Sequence, residues 1–387
     1  MKPGSRAVHA GRHPGRRESL APPIVQASVH VFDDLDDYDE VAAGRSPGHV
    51  YGRNSNENTG WLEAAVAELE GGEAGVATAS GMAAIYVAIL ALAPRPVPIL
   101  FQRELYGTTI ALLREDFAPL GYELRPADFT DLGAVERGLP GAGLVISETI
   151  TNPLCAVADL DRICALARDA RVPVLVDNTF ASPTLFRPLE HGATAAVHSA
   201  TKYLGGHSDL VAGVAVGSGE FVRQSRARSI RLGTTLGPFE AWLALRGLRT
   251  LALRMTRHSA NSLRLAEALA GLEAVDRVHH PLLEGSPWQP VAARLLPEGS
   301  GGMLAFDLAG ARPAVQLMLG RMRLAAFAAS LGGVETTISY PEITSHRGLT
   351  PEERLELGIL PGTVRVSTGI EDPEDIVEDF VQAITAG

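Results

Sequence analysis

The sequence predicts an α/β fold, with a large domain built on a mostly parallel sheet and a smaller C-terminal α/β domain. Three observations carry this. Five short apolar runs recur through the middle of the chain: VPILF (97–101), GLVISE (143–148), VPVLVD (172–177), AAVHSA (195–200) and VAGVAV (211–216). They are continuously apolar rather than alternating, as strands covered on both faces are, and helical patterns such as LDRICALARDA (160–170) separate some of them. The 387 residues are more than one small domain needs and leave room for a second unit.

In chain order, the first sixty residues read as irregular, and their acidic run (Asp33, Asp34, Asp36, Asp37, Asp39, Glu40) reads as a solvated face. WLEAAVAELEGG reads as a helix ended by Gly71 and Gly72. The most apolar stretch, Ala74 to Ala93, contains Thr78 and Ser80 and stops at Pro94. It reads as a loop opening into a buried helix, not as a membrane span. The five strand runs follow. From Pro238 a long helical pattern leads into the second unit, whose strands are GGMLAFDL and TVRVSTG and whose last helix is EDPEDIVEDFVQAITA. The large domain is placed at 61–240 and the small one at 241–387.

Composition excludes several classes. Hydrophobic residues make up 46% and charged residues 20%, which is a globular balance rather than a disordered one. A net charge of −11 argues against a nucleic-acid surface. The basic N-terminal run is followed by no apolar core, so no secretory signal is expected, and the location expected is cytoplasmic. Cys155 and Cys164 are too few for a disulfide framework or a Cys-rich zinc site. No metal is expected, and His279-His280 reads as a loop pair.

Only Lys2 and Lys202 are lysines among the 34 basic residues; all the others are arginine. Solvation and ion pairing tolerate that exchange. Chemistry needing a neutral primary amine does not, because guanidinium stays protonated.

In an open α/β sheet, ligands bind beyond the carboxyl ends of the strands. Asp177 ends VPVLVD, Ser199, Thr201 and Lys202 follow AAVHS, and Glu148, Thr151 and Asn152 end or follow GLVISE. Ser80-Gly81-Met82 opens a helix, where free N–H groups favour a phosphate. Singly, Asp177 is compatible with a turn cap and Ser80-Gly81 with an ordinary N-cap. Together they supply an amine, a carboxylate and an anion cradle, the protein's half of pyridoxal phosphate chemistry. GxGxxG, P-loop, GxSxG and HExxH motifs are absent.

The segments HSATKYLGGHSD (198–209), VDNTF (176–180), ETITNP (148–153), ASGMAA (79–84), ELYGTT (104–109), YGRNSNENT (51–59), SLGGVET (330–336) and VRVSTGIED (364–372) resemble, in order, the Cys/Met-metabolism family of pyridoxal-phosphate enzymes. That family includes the cystathionine γ-synthases, the cystathionine β- and γ-lyases and the methionine γ-lyases. The resemblance implies fold type I, the aspartate aminotransferase-like architecture. It implies that Lys202 bonds the cofactor and shuttles protons, Asp177 pairs with the ring nitrogen, Asn152 also contacts the cofactor, and Tyr106 stacks on the ring with its phenol taking part in proton transfer. It assigns Gly81, Met82, Ser199 and Thr201 to the phosphate. Tyr51 and Arg53 would reach the phosphate of a neighbouring subunit, which makes residues 1–60 a contact segment and implies a homotetramer, a dimer of dimers with shared sites. Arg365, with Ser330 and Asn152, would hold the substrate carboxylate.

Two positions bear on substrate. Where enzymes of the family that handle cystathionine often carry glutamates, this chain has Val50 and Ala329. A distal ammonium set against two apolar side chains is penalised by desolvation, whereas a methyl thioether is not. Thr108 stands where methionine γ-lyases usually have cysteine, and ISYPEITSHR departs from the family's His-Pro and Met-Thr-His pattern. The expectation is a carbon–sulfur lyase performing α,γ-elimination on methionine or a related thioether. The alternatives are γ-replacement on an activated homoserine, cystathionine γ-lyase activity, and a cofactor-binding regulatory protein.

Overall fold

The computed structural model describes residues 1–11 and 19–385, so part of the basic N-terminal run lies outside the described residues. The larger sheet has seven strands: β1 (Ala74–Thr78), β2 (Ile99–Gln102), β3 (Leu124–Ala127), β4 (Leu144–Glu148), β5 (Val174–Asp177), β6 (Ala195–Ser199) and β7 (Gly213–Gly217). Their spatial order is β1-β7-β6-β5-β4-β2-β3. The run from β3 to β6 is parallel, and β7 is antiparallel to both of its neighbours. Every strand except β7 therefore ends on the same edge of the sheet.

The five expected strands are all present. β1 is a correction, since the sequence reads as a loop at the front of the apolar stretch 74–93. Ala74, Gly75 and Ala77 give little β-branched signal, but all five residues pair with β7 and most are buried, so tertiary context supplies what propensity does not. β3, LRPA, is also absent from the sequence-based expectation; its proline is tolerated on a strand at the sheet edge.

Successive side chains enter opposite cores. Val145, Val174 and Val176 join Leu62, Val66 and Ile163 on one face. Ile146, Leu175 and Val197 join Ala84, Ile85 and Ile89 of the helix Gly81–Leu92 on the other. Both faces are dry, as the apolar runs require.

The second sheet has five strands: β8 (Val275–His279), β9 (Met303–Leu308), β10 (Ala326–Phe327), β11 (Thr337–Ser339) and β12 (Thr363–Ser367), in the order β10-β11-β12-β9-β8. Only its β10–β11 pair is parallel. Its core closes around Phe306 and Phe380, edge to face at 6.2 Å. The long helical pattern is two helices, Pro238–Leu248 and Leu251–Ala270. The first packs on the helix Glu57–Glu70; the second lies against β8, β9 and the C-terminal helix Pro373–Thr385.

The acidic run forms the helix Leu35–Ala42, none of whose residues is buried. His279 and His280 are not a loop pair on the surface. Both are buried, His279 ending β8 against Asp307 at 2.8 Å and His280 within 3.2 Å of Ser262 and Ser300 hydroxyls. A strand neighbour satisfies His279, and a helix and a loop hydroxyl satisfy His280, which a single sequence does not reveal. Among the described residues no helix is long and apolar enough to cross a membrane.

Candidate active site

A cavity of about 450 Å³ opens at the carboxyl edge of the larger sheet. Glu148 ends β4, Asp177 ends β5 and Ser199 ends β6, so three adjacent strands deliver three polar side chains to one place. Thr201 and Lys202 follow in the turn after β6. Ser80-Gly81-Met82 arrives after β1 and Tyr106 after β2. The second sheet closes the cavity with Arg365 of β12, Ala329 and Ser330 before β11, and Ile343, Thr344 and Ser345 after it.

At one end is an anion cradle. Ser80 caps the helix Gly81–Leu92, its Oγ accepting the Ala83 N–H at 3.1 Å and its carbonyl the Ala84 N–H at 3.1 Å. The N–H groups of Gly81 and Met82 have no acceptor among the described residues and sit at the positive end of the helix. A Cβ at Gly81 would lie 2.7 Å from Ser199 Cβ, so glycine is what lets the helix end against β6. Thr201 Oγ1 sits between the Ala212 N–H (3.0 Å) and carbonyl (3.2 Å), and reaches an anion only by exchanging that carbonyl.

At the floor, Asp177 Oδ1 accepts both the N–H (2.9 Å) and the hydroxyl (2.5 Å) of Thr179. Thr179 Oγ1 also accepts the Ser199 N–H at 2.8 Å, tying β5 to β6. Burial raises the Asp177 carboxyl, and the bonds from Thr179 oppose the rise. Glu148 Oε1 accepts the Tyr106 N–H at 2.7 Å and Oε2 the Asn152 N–H at 3.2 Å. Burial, then the charge of Asp177, holds the Glu148 carboxyl well above the usual range.

Lys202 Nζ donates to Ser330 Oγ at 3.3 Å. Burial, then the Arg365 charge, pushes its ammonium down to about 8, so roughly a tenth of the amine is neutral at pH 7, far more than for an unperturbed lysine. Arg365 donates from Nη1 to Asn152 Oδ1 at 2.9 Å and from Nη2 to the Ser330 carbonyl at 3.3 Å, while its Nε is buried without a partner among the described residues. Burial lowers it to about 10. A buried guanidinium with only neutral partners is a receptor for an anionic group.

A family profile for Cys/Met metabolism PLP-dependent enzymes matches residues 4–385. The chain belongs to that family. It is 40% identical to an L-methionine γ-lyase of Pseudomonas putida over 386 residues, 99% of this chain and 97% of the relative. A crystal structure of cystathionine γ-synthase from Xanthomonas oryzae pv. oryzae superimposes with a TM-score of 0.94 at 35% identity, covering 100% of this chain and 98% of that one. An O-acetylhomoserine (thiol)-lyase structure from Campylobacter jejuni, which carries a pyridoxyl-lysine, gives 0.93 at 27% identity over 99% and 100% of the two chains. This family member is accordingly a pyridoxal phosphate enzyme of fold type I.

The residues present fit the cofactor. Gly81, Met82 and Ser199 would offer donors to its phosphate, Asp177 would offer a carboxylate to its ring nitrogen, and Lys202 would supply an amine able to bond it. Eleven residues expected from sequence share this one cavity: Gly81, Met82, Tyr106, Asn152, Asp177, Ser199, Thr201, Lys202, Ala329, Ser330 and Arg365. Val50, Tyr51 and Arg53 lie outside it. Arg53 stacks over the Tyr51 ring at 5.4 Å and donates to the Ile230 carbonyl at 3.0 Å, while Tyr51 is half exposed.

Sequence reasoning does not assign Thr179 or Ile343, and it marks Glu148 without a role. Thr179 stands in VDNTF two residues after Asp177, the spacing of a hydroxyl that turns back on a carboxylate, so a signal is there. Ile343 lies in ISYPEITSHR, the segment that departs from the family pattern, which signals an altered wall without singling out this residue.

Proposed function

We propose that this enzyme performs α,γ-elimination on methionine or a closely related thioether, yielding with water a thiol, 2-oxobutyrate and ammonia. The observation that carries the reading is the outer wall of the cavity. Thr108, Val211, Ala329 and Ile343 present no carboxylate there, and the two carboxyls of the cavity, Glu148 and Asp177, are at its floor, bound to the backbone of Tyr106 and Asn152 and to Thr179. A distal ammonium has no counter-ion in that wall; an apolar sulfur substituent needs none.

Bound pyridoxal phosphate supplies an electron sink beside the substrate α-carbon. Arg365, braced by Asn152 and Ser330, fixes the substrate carboxylate. Lys202 Nζ, lowered to about 8, takes the α-proton and then moves a β-proton. The Tyr106 hydroxyl gives a proton to the departing sulfur. Asp177 holds the ring nitrogen's proton, with Thr179 fixing its orientation.

A homotetramer with sites shared between subunits belongs to the same reading. Its support is the placement of Tyr51 and Arg53 outside their own cavity, and the exposure of Leu20 (81%), Val31 (96%) and Leu35 (87%) in the segment around them. A cytoplasmic location belongs to it as well. The likeness to a cystathionine γ-synthase structure favours one second reading, γ-replacement with an added thiol. The test is 2-oxobutyrate release from methionine without thiol, set against product formation from an activated homoserine plus cysteine.

A further inference from the structure

Beside the active-site cavity lies a second one of about 310 Å³, walled by the helix Ala311–Arg321, Phe327 and Tyr340. Ile343 belongs to the walls of both cavities and, among the described residues, is the one they share. It sits in the segment after β11 that departs from the family pattern. The position of that segment is fixed from the other side: the Ser345 carbonyl comes within 2.2 Å of where a Cβ on Gly107 would be, so Gly107 lets it close down beside Tyr106. The second cavity is lined by Val315, Leu319, Phe327 and Tyr340 beside the uncharged amide of Gln316, and the charged residue among its described lining, Arg312, is paired with Glu342 at 3.5 Å. Its chemistry suits an uncharged alkyl or aryl chain.

We propose that Ile343 sets the length limit for the substituent on the substrate sulfur, and that the cavity beyond it is a subsite for longer alkyl or aryl tails. The inference rests on the thioether reading of the site. With Arg365 holding the carboxylate, the substituent projects away from Lys202 towards the outer wall, where Ile343 stands. A short substituent stops at the isoleucine. A longer one meets its side chain, which is 40% exposed and stands between the two spaces it lines. Shortening that side chain joins the two spaces, and each methylene then buried strengthens binding about fourfold.

The test titrates the cofactor-loaded enzyme with methionine and with S-pentylhomocysteine, reading apparent Kd from the cofactor absorbance. The quantity compared is the ratio of the two constants. Ile343→Ala is expected to shift that ratio at least tenfold in favour of the pentyl compound. Gly320 lines the second cavity, and a Cβ there meets nothing within 4 Å, so Gly320→Leu adds bulk at the wall of that space. In the double variant the shift is expected to disappear. An unchanged ratio in Ile343→Ala, or a shift that survives Gly320→Leu, overturns the proposal. The absorbance change is read by stopped flow before elimination consumes methionine, so the ratio reports binding apart from turnover. A wild-type enzyme that binds methionine but releases no 2-oxobutyrate contradicts the lyase reading and leaves the length limit to be judged by the ratio alone.

Discussion

Glu148 and Asp177 are register partners at the carboxyl ends of β4 and β5, which sets two carboxyls side by side at the floor of the cavity. Each has a distinct task. Asp177 accepts from Thr179 and would pair with the cofactor ring nitrogen in the proposed reading, whereas Glu148 gathers the backbone N–H groups of Tyr106 and Asn152. A buried carboxyl beside a second one resists ionisation, and Glu148 is the one whose rise is larger in cause, from burial and from Asp177 together.

That relationship predicts a pH-dependent effect of Glu148→Gln on stability. A carboxyl raised in the folded state contributes stability that is fully present below its ordinary value of 4.5 and lost as pH climbs through the raised value. Glutamine has no proton to lose. The difference in thermal midpoint between Glu148→Gln and wild type should therefore move in the variant's favour as pH rises from 4.5 to 8. A difference that does not change with pH would contradict the assignment.

The lowered ammonium of Lys202 predicts how the cofactor-free protein recaptures pyridoxal phosphate. Uptake should accelerate with pH through a midpoint near 8, as the neutral amine forms. Arg365→Gln removes a neighbouring positive charge, which stabilises the ammonium, so the midpoint should move upward. Stopped-flow absorbance across a pH series reads both values.

Arg365→Lys keeps a positive charge but loses the planar fork. Loss of charge-assisted hydrogen bonds to the substrate carboxylate should lower kcat/KM for amino-acid substrates by about ten- to a hundredfold. The variant should still retain cofactor, since Arg365 does not line the phosphate cradle. Steady-state kinetics beside an absorbance spectrum separates the two.

Much of this site is legible in the sequence alone. A strand ending in Asp177, one lysine in the interior of the chain at Lys202, and Ser80-Gly81 ahead of an apolar helix are local features, and parallel topology brings strand ends together. What stays hidden depends on tertiary pairing. β1 forms because β7 lies beside it, not because AGVAT favours extended backbone. β10 and β11 are too short to register as runs. Glu148 reads as a strand terminus, and its grip on Tyr106 crosses 42 positions of sequence. Ile343 gains meaning only where two cavities meet.

A shared site predicts complementation between inactive variants. Lys202→Ala and Arg53→Ala should each have little or no activity when prepared alone. Unfolded together and refolded as a mixture, they should recover part of the wild-type rate, because some hybrid assemblies pair an intact Lys202 with an intact Arg53 from the other subunit. Absence of recovery, with both variants folded and assembled, would place Arg53 within its own subunit's structure.

The most direct measurement is release of 2-oxobutyrate by the cofactor-loaded enzyme with no thiol added, comparing methionine with cystathionine and using Lys202→Ala as the blank. The account predicts steady release from methionine, much less from cystathionine, and none from the Lys202→Ala variant. Silence with methionine, while an activated homoserine and cysteine are joined into product, would contradict it.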